Sequence, residues 1–296
     1  MTSMFQSEVL GETVAGPVFV AGGGPALADV AMEGTEPAGA VIGIVGLGYV
    51  GLPTALALAE AGSSVIGCEV SDERLADIRS GAVDLLETDH ARLRRQMGGD
   101  RLRLTVDPAA LRGADTVVIC VPTPVDEHLT PDLSAVAGAC RTVVQHAVPG
   151  QLIVLTSTTY VGCTRDHLVK PLAERGLRVG VDVFVAFSPE RIDPGVAKHA
   201  QESTPRVVGG ATPACRERAV QALRRVAPYV HEVSSPEAAE MTKLLENSFR
   251  AVNIAFANEV SELARELGLD PVEVIEAAAT KPYGFMAFYP GPGVGG

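Results

Sequence analysis

From Ala40 the chain alternates short apolar runs rich in β-branched residues with longer stretches of helical period. "AVIGIV" predicts a first strand, "GLGYVG" a glycine turn and "LPTALALAEAG" an apolar helix ending at Gly62; the strand "SVIGCEV" follows directly. "RLRLTV" (101–106) reads as a strand, "DPAALRGA" as a short helix opened by Pro108, and "DTVVICVPTP" as a buried strand running into a proline-rich loop. Next come a helix near residues 133–146, the strand "QLIVLTS", a helix near 163–175, the strand "DVFVAFSPER" and a further strand, "PRVVGG". Strands and helices alternating at this spacing predict an α/β fold on a doubly wound parallel sheet.

After Gly210 the pattern becomes mainly helical. The helix "TPACRERAVQALRRV" and the short strand "YVHEVSS" lead into a stretch without a breaker from Ser234 to Gly268, about nine helical turns. Ser234 and Glu237 read as its capping box, with Pro236 in the first turn. Met241, Leu244, Leu245, Phe249, Val252, Ala255 and Phe256 form a broad apolar face, which predicts a largely buried helix. Beside it Glu240, Lys243, Asn247, Arg250 and Asn258 fall within about 80° of one another. Buried polar groups need partners. The stripe is therefore either a salt-bridged face against the first domain or a cleft wall that presents cations and an amide to a charged substrate. In the second reading Lys243 stabilises a developing oxyanion. The apolar face also predicts pairing of this helix between two subunits.

Composition narrows the class. At 296 residues and 47% hydrophobic content the chain can bury a sizeable core, and its length fits about two domains. A net charge of −12 argues against a general nucleic-acid binder. No apolar run is long enough for a transmembrane helix. Five scattered cysteines without a CxxC pair read as small buried hydrophobes in a reduced cytoplasm, and no metal site is expected. Before position 39 there is no Lys or Arg but five acids, the opposite of a secretory signal, so residues 1–38 read as a mobile tail. The expected domains are then 39–211, built on the sheet, and 212–296, helical.

The first candidate chemistry is the glycine turn. Gly46, Gly48 and Gly51 form GxGxxG with a strand before and a helix after, inside one β-α-β unit, which predicts a Rossmann-type dinucleotide site. Glu69 ends the second strand, where an acid accepts hydrogen bonds from the adenosine ribose and repels a 2′-phosphate, so NAD is favoured over NADP. Arg74, the first basic residue of the chain, reads either as an adenine or phosphate contact or as a solvated helix-start arginine. Ligands of such sheets sit beyond the carboxyl ends of the strands. That rule singles out "VPTP" with Thr123, "STTY" with Thr158, and "SPER" with Glu190 and Arg191. The glycine-rich "YPGPGVGG", with Tyr289, Gly291 and Gly293, reads as a loop whose backbone approaches an anionic ligand.

Together "GIVGLGYVGLP", "VICVPTP", "STTYVG", "FSPER", "EMTKLLEN", "AVNIAFANE", "AATKPYGF" and "YPGPGVGG" resemble the UDP-glucose/GDP-mannose dehydrogenase family, and its UDP-N-acetylglucosamine 6-dehydrogenase branch most closely. The resemblance spans residues 41–296 and implies NAD-dependent oxidation of a UDP-sugar C6 hydroxyl to the carboxylate through two hydride transfers. It further implies NAD contacts from Tyr49, Val50, Glu69, Thr123 and Thr158, and substrate contacts from Arg191, Ile192 and the terminal glycine loop. Arg250 would lie near the diphosphate. Lys243 and Asn247 would hold the oxyanion, Thr158 would position a water, and Glu190 would serve as acid/base in hydrolysis of the acyl intermediate.

One departure stands out. In the family "GPGVGG" continues into a His-Cys pair whose cysteine is the nucleophile, and none of the five cysteines here matches it. Covalent catalysis splits a hard oxidation into easier steps, so the expectation is a fragment lacking the C-terminal domain and full turnover. Two alternatives stay open: a non-catalytic NAD-binding partner of an intact paralogue, and a two-domain hydroxyacid-type dehydrogenase.

Overall fold

In the computed structural model of the chain, residues 39–125, 127–128, 130–191, 204–224, 227 and 229–293 are described. The expected tail lies outside them. Two compact units are present, one ending at Phe249 and the other beginning at Arg250.

The first unit is organised by eight strands: β1 (Val41–Val45), β2 (Ser64–Cys68), β3 (Leu102–Thr105), β4 (Thr116–Ile119), β5 (Leu152–Leu155), β6 (Phe184–Phe187), β7 (Arg206–Gly210) and β8 (Val230–Val233). Their order is β3-β2-β1-β4-β5-β6-β7-β8. The chain reverses direction across the sheet between β1 and β4, where open α/β sheets bind ligands. Adjacent strands are parallel, with one exception: β7 runs antiparallel to β6, pairing Ala186 with Gly210 and Phe187 with Gly209.

Helices cover both faces, as continuous apolar strands require. They are α1 (Gly51–Glu60), α2 (Asp72–Ser80), α3 (Glu87–Met97), α4 (Ser134–His146), α5 (Lys170–Glu174) and α6 (Pro213–Leu223). One core joins Ile42, Ile44, Leu52, Leu56, Leu75 and Leu93. Another joins Val117, Ile119, Val143, Leu155, Leu168 and Phe187. All five cysteines are buried and free. Burial pushes the Cys120 and Cys140 thiols up to about 12, and those of Cys68 and Cys163 up to about 11. None of these four is a thiolate near neutral pH.

The helix expected near 163–175 carries a π turn at Arg165–Val169 before α5. Pro171 explains it: proline has no N–H to give the carbonyl four residues back, and its ring crowds that carbonyl. The start of this helix is capped from a distance. Glu240, only 1% exposed, accepts from the Gly162 N–H at 2.6 Å, the Thr164 N–H at 2.8 Å and the Thr164 hydroxyl at 2.7 Å. A carboxylate at a helix N-terminus satisfies otherwise orphaned donors. Glu240 therefore serves the fold rather than a cleft wall.

The long helix α7 (Pro236–Glu266) is continuous, and α8 (Pro271–Ala279) follows. The structure departs from the sequence expectation at the cap of α7 and at its apolar face. The cap is Ser235, whose hydroxyl accepts from the Ala238 N–H at 3.3 Å, not Ser234 in a box with Glu237. Glu237 pairs instead with Arg165 at 2.6 Å, a partner outside any local sequence window. The apolar face, expected to be buried, is open: Met241, Leu245, Phe249, Val252 and Phe256 are between 50% and 68% exposed.

The Arg165 guanidinium holds the Glu237 carboxyl down at about 2, against burial, which pushes it up. A depressed carboxyl stabilises the fold fully above its ordinary value of 4.5 and loses that contribution as pH falls through about 2. Both side chains are part-solvated, so the contribution is below about 1 kcal/mol. Acid titration of the melting temperature is expected to steepen between those values in the wild-type chain and to flatten there in Glu237→Gln.

Candidate active site

The glycine loop lies after β1, at the point where strand order reverses. Its Gly46 N–H donates to the Cys68 carbonyl at 2.9 Å, tying the turn to β2. Gly46 has φ +87°, a conformation that side chains disfavour. A Cβ on Gly51 would sit 1.9 Å from the Gly46 carbonyl oxygen, so only glycine closes the turn onto α1. A Cβ on Gly48 would meet nothing within 4 Å. The start of α1 at Val50–Gly51 has no side-chain cap and no acid in its first turn. These features fit a dinucleotide: spare N–H donors and the positive end of the helix meet a pyrophosphate, with Gly48 allowing close approach. Tyr49 is exposed and Val50 half-buried beside them.

Glu69 braces the same loop. Its Oε2 accepts from the Leu47 N–H at 2.8 Å, and its Oε1 from the Val70 and Ser71 N–H groups at 2.8 and 3.3 Å. Arg74 Nε donates to the Leu47 carbonyl at 3.2 Å, so both polar groups of Leu47 are held by the strand-end acid and the following helix. Arg74 is half-buried and tied to the loop through Nε. A carboxylate has about four acceptor sites, so Glu69 retains capacity for a ribose hydroxyl. Removing its charge in Glu69→Gln is expected to narrow discrimination between NAD and NADP by about tenfold. Parallel titrations with both cofactors check this.

Thr123 and Thr158, both half-buried, lie beyond β4 and β5. The Thr156 hydroxyl donates to the Ile119 carbonyl at 2.8 Å and the Ser157 hydroxyl to the Val121 carbonyl at 2.7 Å, locking the two loops together. Beyond β6, Glu190 is a junction. Its Oε2 accepts from Arg206 Nη1 at 2.8 Å, its Oε1 from the Arg191 N–H at 2.8 Å, and its backbone carbonyl from Lys243 Nζ at 2.7 Å. The Arg191 guanidinium is engaged by Glu246 at 2.5 Å and by the Pro205 carbonyl at 3.0 Å. Asn247, half-buried, follows Lys243 by one turn of α7. Ile192 lies outside the described residues.

In the second unit Arg250 is exposed at its start, and Tyr289 is exposed near its end. The Asn258 side-chain amide donates to the Gly291 carbonyl at 3.1 Å and accepts from the Gly291 N–H at 2.9 Å, a two-bond clip on the glycine loop. Gly293 has φ +62°, and residues 294–296 lie outside the described range. Sequence reasoning missed Arg206 and Glu246. A lone arginine opening the apolar run "PRVVGG" was the available signal for Arg206. Glu246 offered none.

Fold and glycine loop define a Rossmann-type dinucleotide-binding chain. The chain belongs to the UDP-glucose/GDP-mannose dehydrogenase family: residues 40–227 match its NAD binding domain and residues 237–296 its central domain. It is 36% identical over 253 residues to a UDP-N-acetyl-D-glucosamine 6-dehydrogenase of Pseudomonas aeruginosa, covering 84% of this chain and 58% of that protein. It is 37% identical over 258 residues to a UDP-N-acetyl-D-mannosamine dehydrogenase of Pyrococcus horikoshii, covering 86% of this chain and 61% of that one. A solved structure of a UDP-D-ManNAc dehydrogenase from Pyrococcus horikoshii superposes with TM-score 0.79 at 35% identity, over 85% of this chain and 60% of the other. The chain thus spans about three-fifths of the length of these relatives. The family's cofactor is NAD, and the cradle described above fits it. No helix among the described residues is long and apolar enough to cross a membrane.

Proposed function

We propose that the chain takes part in oxidation of the C6 hydroxyl of UDP-N-acetylglucosamine, passing hydride to NAD held over the glycine loop. NAD supplies the hydride acceptor. Gly46, Gly48, Tyr49, Val50, Gly51, Glu69 and Thr123 serve the cofactor. Arg191, Ile192, Arg250, Tyr289, Gly291 and Gly293 serve the UDP-sugar. Lys243 and Asn247 stabilise negative charge growing on the C6 oxygen as hydride leaves. Thr158 holds a water, and Glu190 handles its proton in the later hydrolytic step.

The observation that carries this reading is the contact of Lys243 Nζ with the Glu190 carbonyl at 2.7 Å, which joins a cation and a carboxylate residue beyond the strand ends. The open apolar face of α7 supports a homodimer built on that helix. Five unpaired cysteines agree with a cytoplasmic setting. Single-turnover mixing, with the chain in excess over NAD, tests the substrate. Reduced nicotinamide is expected from UDP-N-acetylglucosamine faster than from its N-acetylmannosamine epimer or from UDP-glucose. Equal rates for all three would remove the substrate assignment.

A further inference from the structure

The sheet's one antiparallel pairing delivers a buried cation to the candidate acid/base. Residue numbers across β6 and β7 sum to a constant, Ala186 with Gly210 and Phe187 with Gly209. Continued past the strand ends, this register sets Glu190 opposite Arg206 and Arg191 opposite Pro205. The contacts agree: Arg206 Nη1 lies 2.8 Å from Glu190 Oε2, and Arg191 Nη1 lies 3.0 Å from the Pro205 carbonyl. A parallel strand beside β6 would have brought its opposite end here. Arg206 is 5% exposed, and a cation so buried must be paired.

We propose that Arg206 is the positioning residue for the Glu190 carboxylate; the inference rests on the acid/base role given to Glu190 above. Each Glu190 oxygen has its own donor, Arg206 for Oε2 and the Arg191 N–H for Oε1. Held at both oxygens, the carboxylate cannot turn about its terminal bond. The Glu190 carbonyl meanwhile accepts from Lys243. Arg206 thereby acts on the same residue as Lys243 but from the sheet side, and touches the reaction only through Glu190. Without it, Oε2 loses a charge-assisted partner and the carboxylate swings. A misplacement of about 1 Å in such a group can cost a hundredfold in rate.

The test compares Arg206→Met, Arg206→Lys, Glu190→Gln and the double variant Glu190→Gln/Arg206→Met with the wild-type chain. The first readout needs no substrate: hydrogen exchange at the Arg191 amide, with the Leu47 amide as internal control. Arg206→Met is expected to speed Arg191 exchange by roughly tenfold or more while Leu47 is unchanged, and Arg206→Lys to restore part of the protection. If Arg206→Met fails to fold, Arg206→Gln takes its place, and Arg191 exchange identical to wild type in that variant overturns the proposal. The second readout is steady-state formation of reduced nicotinamide from NAD and UDP-N-acetylglucosamine, in which every turnover must pass through the hydrolytic step assigned to Glu190. Glu190→Gln and Arg206→Met are expected to lower the rate to a similar degree with KM little changed, and the double variant to be no slower than either. Independent, multiplying losses in the double variant would make Arg206 a separate structural element and sink the proposal. Should the wild-type chain show no steady turnover, the hydrolytic role of Glu190 fails in this chain, and the exchange result alone decides whether Arg206 holds that carboxylate.

Discussion

Gly51→Ala is expected to abolish measurable NAD binding and to lower the stability of the chain together. The added methyl would sit 1.9 Å from the Gly46 carbonyl oxygen and 3.2 Å from the Cys120 Cβ. Neither neighbour is the free end of a flexible side chain. Gly46 itself has no room to retreat, because its α-carbon already packs against the end of β4: a Cβ there would lie 2.9 Å from Val121 and 3.0 Å from the Cys120 carbonyl. Opening the turn costs about 1–3 kcal/mol of strain. It also moves the N–H groups that face the pyrophosphate, so affinity is expected to fall by more than about a hundredfold. Gly48→Ala separates the two effects. Its methyl would meet nothing within 4 Å in the cofactor-free chain, so the melting temperature should hold while NAD affinity falls. Thermal unfolding beside a cofactor titration distinguishes these outcomes. Unchanged affinity in both variants would place the dinucleotide elsewhere.

Lys243→Met is expected to slow the first hydride transfer by about 10²–10³-fold with NAD affinity unchanged. Loss of hydride from C6 needs the hydroxyl to shed its proton, so negative charge builds on the oxygen. A half-buried ammonium fixed by the Glu190 carbonyl can meet that charge without reorganising. Methionine keeps the length of the side chain and much of its packing but offers no charge. Lys243→Arg is not expected to rescue, because the guanidinium is larger and carries its donors in a fixed plane. Single-turnover rates with saturating NAD are the appropriate check. A loss smaller than about threefold would remove Lys243 from the oxyanion role.

Much of the nucleotide-binding half was legible in the sequence, because its signals are local. A β-branched run, a glycine turn and an apolar helix within about two dozen residues leave little choice of fold. The candidate loops followed from a rule about strand ends, and the structure sets Thr123, Thr158 and Glu190 beyond β4, β5 and β6 as that rule requires. What sequence could not supply was pairing over distance. Glu240 looked like one more polar residue on a helix stripe, yet its carboxylate caps a helix that begins more than seventy residues earlier. Glu237 matched a capping box four residues long, and a charge-assisted bond to Arg165 outweighed that local use. The antiparallel direction of β7, and with it the meeting of Arg206 and Glu190, is set by tertiary packing that no local periodic signal marks. The apolar stripe of α7 was read correctly as a stripe. Its exposure depends on what the helix packs against, which periodicity does not encode.

If hydride leaves C6 of a UDP-sugar for NAD held over the glycine loop, a label at C6 must follow it. The most direct measurement mixes the chain in excess with NAD and UDP-N-acetylglucosamine deuterated at C6, then weighs the reduced cofactor. The expected product is reduced cofactor carrying one deuterium, formed more slowly than from the unlabelled sugar. Reduced cofactor without deuterium, or none at all from a chain that binds both ligands, would contradict that transfer.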